Sequence, residues 1–314
     1  MLSANETMIT EFLLLGFKSP PSVTMFTFIL FLVLYIIIIS GNLLIILLVS
    51  TSRRLHSPMY FFLGNLSLSE ITFTTNIVPN MLQNLLCGDG VISLAGCFTQ
   101  YYFFSSTAST ECLLLAVMSY DRYLAICNPL RYASLMHSQL CAHLVIWSWS
   151  AGFIISMITL ILLNRYNYCG PNAIDNFFCD LTPLIQLACS DTFLVEIESF
   201  IFASILTLLP FIFILLTYIV IIYNIIKIPS TSGRKKAFST CSSHLAVVST
   251  YYGTLIAMYV IQSPNQLYDV NRVLSLLYTV VTPVLNPIVY SLRNQDFHEA
   301  IRAFLRNVRY TLKS

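Results

Sequence analysis

The sequence predicts an all-α membrane protein, a seven-transmembrane helix bundle with a short amphipathic helix after the seventh span. Three observations predict it. Of 314 residues, 57% are hydrophobic and 10% charged, whereas a soluble domain carries about 25% charged residues. Mean hydropathy is +0.77. Seven apolar stretches, at about 24–50, 58–82, 97–120, 139–163, 197–226, 238–261 and 272–292, are each long enough for a spanning helix of roughly 20 residues. The cations also fall on one side. With residues 1–23 outside and the spans alternating, Arg53, Arg54, Arg122, Arg131, Lys227, Arg234, Lys235, Lys236, Arg293, Arg302, Arg306, Arg309 and Lys313 are cytoplasmic, 13 of the 16 Lys and Arg. This bias places the N-terminus outside and the C-terminus in the cytoplasm. Nine of the 14 acids lie on the opposite side. The basic face suits anionic lipid head groups and an acidic cytoplasmic partner, with no need of nucleic acid.

The elements follow in order. Residues 1–23 form an extracellular segment. It lacks the positive start of a cleavable signal peptide, so the first span is expected to act as the uncleaved signal. Asn5-Glu6-Thr7 is a glycosylation acceptor on the outer side. Residues 24–292 form the bundle, with spacing too tight for a separate soluble domain. Four of nine cysteines fall outside: Cys97 at the start of span three, and Cys169, Cys179 and Cys189 in the long loop before span five. Four cysteines in an oxidising compartment suggest two bridges, with three pairings open. Glu70 and Glu111 lie at membrane depth, where a charged acid costs roughly 2.5–3.5 kcal/mol on insertion scales. Span three ends in Met118-Ser119-Tyr120-Asp121-Arg122-Tyr123-Leu124-Ala125-Ile126-Cys127, an Asp-Arg pair where an apolar run meets water. Asn286-Pro287 weakens span seven locally, because proline has no N–H and clashes with the preceding turn. Residues 293–314 form a cytoplasmic helix and tail, in which Phe297, Ile301, Phe304 and Leu305 share one face suited to the inner leaflet. No compact histidine pair, phosphate loop or nucleophile elbow is present, so neither a metal site nor an enzyme is expected. A transporter would want repeats or a charged midplane path, at which only the two acids hint.

Several motifs then become specific in combination: Pro58-Met59-Tyr60-Phe61-Phe62-Leu63, the span-three decapeptide, Lys236-Ala237-Phe238-Ser239-Thr240-Cys241, and Asn286-Pro287-Ile288-Val289-Tyr290-Ser291-Leu292-Arg293-Asn294. Over about residues 5–305 the chain closely resembles the olfactory receptors, within the rhodopsin-like G-protein-coupled receptors. Ser119 stands where the family more often has Ala, Glu70 where Asp is commoner, and Asn176 where His is frequent.

The resemblance implies an odorant receptor of the plasma membrane, not an enzyme. It would bind a small volatile odorant, activate an olfactory stimulatory G protein and raise cAMP. It implies bridges Cys97–Cys179 and Cys169–Cys189. Asp121, Arg122 and Tyr123 would form the activation switch with Tyr218, Tyr290 and the Asn286-Pro287 hinge. Glu70 and Glu111 would face each other inside the bundle and share a sodium ion or a proton; no other cofactor is implied. The ligand would be lined by Phe104, Ser105, Ala108 and Ser109 of span three, Phe202, Ala203 and Leu206 of span five, Tyr252, Leu255, Ile256 and Tyr259 of span six, and Thr279 of span seven. That set is apolar with a few hydroxyls and no charge, so the expected ligand is small, neutral and hydrophobic. The outer-loop acids could still filter charge on the way in.

Overall fold

The computed structural model describes residues 9–16, 20–88, 90–169, 171–261, 275–293 and 295–311. Its long helices are α1 (Pro21–Thr51), α2 (Pro58–Cys87), α3 (Leu94–Cys127), α5 (Ser138–Leu163), α7 (Phe193–Lys227), α8 (Thr231–Ile261) and α9 (Thr282–Arg293). The remaining helices are α4 (Pro129–Leu135), α6 (Leu181–Gln186) and α10 (Gln295–Thr311). Prolines open α1, α2 and α4, where the missing N–H costs nothing and φ is already helical. The Ser93 hydroxyl caps α3 by accepting from Gly96 N–H at 3.1 Å. Two segments widen into π-helical turns, Ser204–Leu208 within α7 and Leu277–Val281 ahead of α9. Pro210 and Pro283 lie two residues beyond them, and a proline cannot donate back into the preceding turn.

Polarity is inverted relative to a water-soluble protein. Among the described residues three helices, α1, α5 and α7, are long and apolar enough to cross a membrane on length and composition alone. The hydropathy of α2 and α3 is diluted by the residues they bury: Ser67, Ser69, Glu70 and Thr74 on α2, and Gln100, Ser106, Thr107, Thr110, Glu111, Ser119 and Asp121 on α3. Phe26, Ile29, Val33 and Ile36 of α1 stand exposed, as lipid-facing residues must. Helix α3 is the hub and packs against α2, α5, α7 and α8. Its approach to α5 depends on Gly152, where a Cβ would sit 2.6 Å from the Ser106 carbonyl oxygen.

One end of the bundle carries a small sheet that the reading of 1–23 as a plain segment did not anticipate. Strand β1 (Glu11–Leu14) pairs antiparallel with β2 (Val91–Ser93) and parallel with β3 (Ala173–Ile174). Gly90 permits this, since a Cβ there would lie 2.0 Å from the Leu14 carbonyl oxygen. Phe12 is fully buried, edge-on to Tyr168 at 5.6 Å between ring centroids. Cys97 is bridged to Cys179 and Cys169 to Cys189, with Cα separations of 5.5 and 5.8 Å. Phe12, Tyr168 and the Cys97–Cys179 bridge form a second core with Phe98, Tyr101, Ile174 and Leu184. At the opposite end, α10 turns Phe297, Ile301 and Phe304 against the main core, while Leu305 is exposed. An Arg54–Glu299 ion pair ties α10 to the turn after α1.

Phe12→Ala is expected to cost about 3–5 kcal/mol, read as a lower melting temperature of the detergent-purified chain. An unchanged melting temperature would show that β1 does not stabilise the cap.

Candidate ligand cavity and cytoplasmic switch

At the sheet end a cavity of about 410 Å³ opens between α3, α5, α7 and α8, within the range of small-molecule sites. Phe104, Ser105, Ala108, Ser109, Phe202, Ala203, Leu206 and Leu255 all line it. Phe104 is held by Phe73 at 5.5 Å, Phe178 at 5.0 Å and Tyr278 at 6.2 Å between centroids. Three expected residues lie elsewhere. The Tyr252 ring packs on Phe211 at 4.6 Å, Ile256 is 47% exposed, and Thr279 is buried and donates to the Ser275 carbonyl at 2.7 Å. Asn5, and the side chains of Tyr259 and Tyr290, lie outside the described residues. In place of Tyr252 and Thr279 the cavity takes their neighbours Tyr251 and Tyr278. An i, i+3, i+4, i+7 spacing defines a helical face but not its rotation, and the π-helical turn at Leu277–Val281 moves span seven out of ordinary register.

Asp180, Thr159, Glu196 and Ser199 also line this cavity, so charge reaches a site expected to have none. Asp180 follows the bridged Cys179 and accepts from Leu181 N–H at 2.7 Å, capping α6. Burial pushes its carboxyl above the ordinary carboxylate range. A separate cavity of about 430 Å³ lies beneath β1, between Leu13–Gly16 and Met81, Asn84 and Leu85. Its polar side chains are Thr24 and Asn84, and among the described residues no titratable group lines it, so the chemistry belongs to the first.

Midway along the bundle, Asn286 donates to Glu70, and Glu111 lies within electrostatic reach of Glu70. Glu70 Oε2, Glu111 Oε1, Asn42 Oδ1 and Asn286 Oδ1 are buried without a hydrogen-bond partner among the described residues. Four such oxygens in one region form an acceptor set that a hard cation or a proton would satisfy. Among the described residues no group of three or more His, Cys, Asp or Glu could hold a metal ion.

At the far end of α3, Asp121 is fully buried. Its Oδ2 lies 3.1 Å from Arg122 Nη2, and its Oδ1 accepts from the Tyr132 hydroxyl at 2.7 Å. Burial and the adjacent carboxylate hold the Tyr132 phenol above its usual value, so it stays a donor at neutral pH. Tyr123 stacks on Tyr120 at 6.4 Å. The Tyr218 hydroxyl is hydrogen-bonded to His244 Nδ1 at 2.7 Å, which ties α7 to α8. Ser119 shares a 2.5 Å hydrogen bond with Thr217. Tyr132 and His244 were not assigned roles from sequence. Tyr132 comes eleven residues after Asp121, and only the fold of α4 returns it.

Among the described residues, then, a helix bundle carries a cavity of small-molecule size at one end and a buried Asp121–Arg122 ion pair at the other. A family model described as olfactory receptor matches residues 31–307. Similar proteins include human olfactory receptor 11L1, 49% identical over 302 residues, covering 96% of this chain and 94% of that one. Human olfactory receptor 11A1 is 46% identical, covering 96% of both chains, and rat olfactory receptor 1f45 is 45% identical, covering 97% of both. The chain belongs to the olfactory receptor family, multi-pass receptors of the plasma membrane that are not enzymes.

Ala108→Phe would place a ring inside the cavity. It is expected to raise the half-maximal concentration of an activating odorant about tenfold or more at equal surface display, given overpacking costs of about 1–3 kcal/mol. An unshifted dose-response curve would place the ligand elsewhere.

Proposed function

We propose that this receptor binds a small hydrophobic odorant between α3, α5, α7 and α8, and passes the signal to an olfactory stimulatory G protein, raising cAMP. The observation that carries this reading is one helix, α3, lining the cavity at Phe104–Ser109 and holding Asp121 and Arg122 at its far end. The part of the cavity between Phe104, Ala108, Leu206 and Leu255 is apolar and suits the neutral body of an odorant. The ligand acts by favouring a state in which the Arg122 end of α3 is released. The cap with its two bridges faces outside and the cation-rich end faces the cytoplasm. The boundaries follow: an extracellular segment to residue 23, the bundle to 292, then the cytoplasmic helix and tail, with a glycan on Asn5.

On the cytoplasmic face the α4 residue Leu130 is 99% exposed, an apolar contact for a partner that also meets Lys235 and Lys236 of span six. The switch comprises Asp121, Arg122 and Tyr123, steadied by Tyr218 and Tyr290 and hinged at Asn286-Pro287. Glu70, Glu111, Asn42 and Asn286 hold a sodium ion in the resting state, which their unpaired oxygens support.

Arg122→Ala should abolish the odorant-driven cAMP rise, while Asp121→Asn should raise basal cAMP about tenfold at equal surface display, the equivalent of about 1.4 kcal/mol. A full odorant response in Arg122→Ala would overturn the switch assignment. Replacing external and internal sodium with a large organic cation should raise basal signalling in the native receptor and not in Glu70→Gln. Equal sodium sensitivity in both would favour a shared proton.

A further inference from the structure

The end of the cavity nearest the loop carries chemistry that an apolar odorant leaves unused. Asp180 lines it from the loop and Glu196 from the first turn of α7. Thr159 of α5 lines the same cavity and donates to Glu198 Oε1 at 2.7 Å, so a third carboxylate stands directly behind it. Tyr101, only 4% exposed, also lines it and lies within electrostatic reach of both Asp180 and Glu198. These groups are fixed in place. Asp180 is held by its cap on α6 and by the neighbouring Cys97–Cys179 bridge, and Glu198 also accepts from Ser199 at 3.3 Å. Among the described residues no Lys, Arg or His lines the cavity.

Ionised carboxylates only accept hydrogen bonds, and an ammonium offers three donors and no acceptor. A carboxylate ligand would bring like charge to this end, and an ester or ketone would bring acceptors to acceptors. Resting on the reading of this cavity as the odorant site, we propose that the preferred ligand is a primary alkyl amine. Its ammonium head sits against Asp180 and Glu196, and its hydrocarbon tail runs inward past Phe104 to Leu206 and Leu255. The expectation of a neutral ligand came from the four-span lining alone, which omits the loop and the first turn of α7.

The test is a set of cAMP dose-response curves in cells displaying the full chain, using matched n-alkyl amines, alcohols and carboxylates from pentyl to nonyl. The amines should act at concentrations about tenfold below the alcohols, and the carboxylates should be silent. Asp180→Asn keeps the side-chain oxygen that caps α6. It should raise the half-maximal amine concentration about tenfold or more and leave the alcohol curves within about twofold. Glu196→Gln should act in the same direction. Silent amines alongside an active neutral odorant would overturn the proposal and leave the odorant-receptor reading intact. So would equal shifts of the amine and alcohol curves in Asp180→Asn. Silence of a surface-displayed receptor toward the whole panel and toward broad odorant mixtures would instead overturn the underlying reading.

Discussion

Lipid offers no partner to a buried hydroxyl, amide or carboxylate, so each polar group in the membrane-spanning segments has to find one inside the bundle. This constraint organises the receptor. It turns Glu70 toward Asn286 and Ser69 toward the Thr107 carbonyl at 3.2 Å. It draws Asn76 and Gln100 into reciprocal bonds with each other's backbone carbonyls at 2.7 and 3.0 Å. Gln100 extends that link to the loop by accepting from Cys179 N–H at 2.9 Å. Of the polar residues that dilute the hydropathy of α2 and α3, Ser69, Glu70, Gln100, Ser119 and Asp121 therefore bond to neighbouring elements, whereas Thr74, Ser106, Thr107 and Thr110 bond to their own helix.

Helix α8 meets the rest of the protein at two levels. The Tyr251 hydroxyl donates to the Ala108 carbonyl at 2.9 Å on the cavity wall, and His244 bonds Tyr218 near the Arg122 end. Seven residues separate these points, about two helical turns or roughly 10.5 Å. A rigid helix attached at both points cannot be displaced at one without stressing the other. Geometry thus joins a ligand pressing on Tyr251 to the surroundings of Arg122 without a chain of intermediate contacts.

Much of this was legible in the sequence. The first and fifth spans, read as 24–50 and 197–226, appear as Pro21–Thr51 and Phe193–Lys227, because an uninterrupted apolar run has no other solution in lipid. The cavity residues of α3 were legible because α3 is regularly wound through that region. In span six the spacing marks Leu255, which lines the cavity, but Tyr252 where the structure offers Tyr251, since spacing leaves rotation undetermined. Strand β1 was not legible. Glu11-Phe12-Leu13-Leu14 is too short to signal a strand alone, and its partners lie some eighty and 160 residues further on. The acids at the cavity mouth are visible in the sequence as outer-side charge, but only loop closure through Cys179 brings Asp180 to the cavity.

The π-helical turns at Ser204–Leu208 and Leu277–Val281 lie in the cavity wall, to which they bring Leu206, Thr207 and Tyr278. Each closes on i→i+5 bonds and so holds one residue more than an α-turn over about the same rotation, and that residue can be lost without turning the helix on either side. A single-codon deletion there would alter the helix locally while Tyr218 and Asn286 keep their places. A change of one residue in length can thus be absorbed in the wall of the cavity and go no further along the helix.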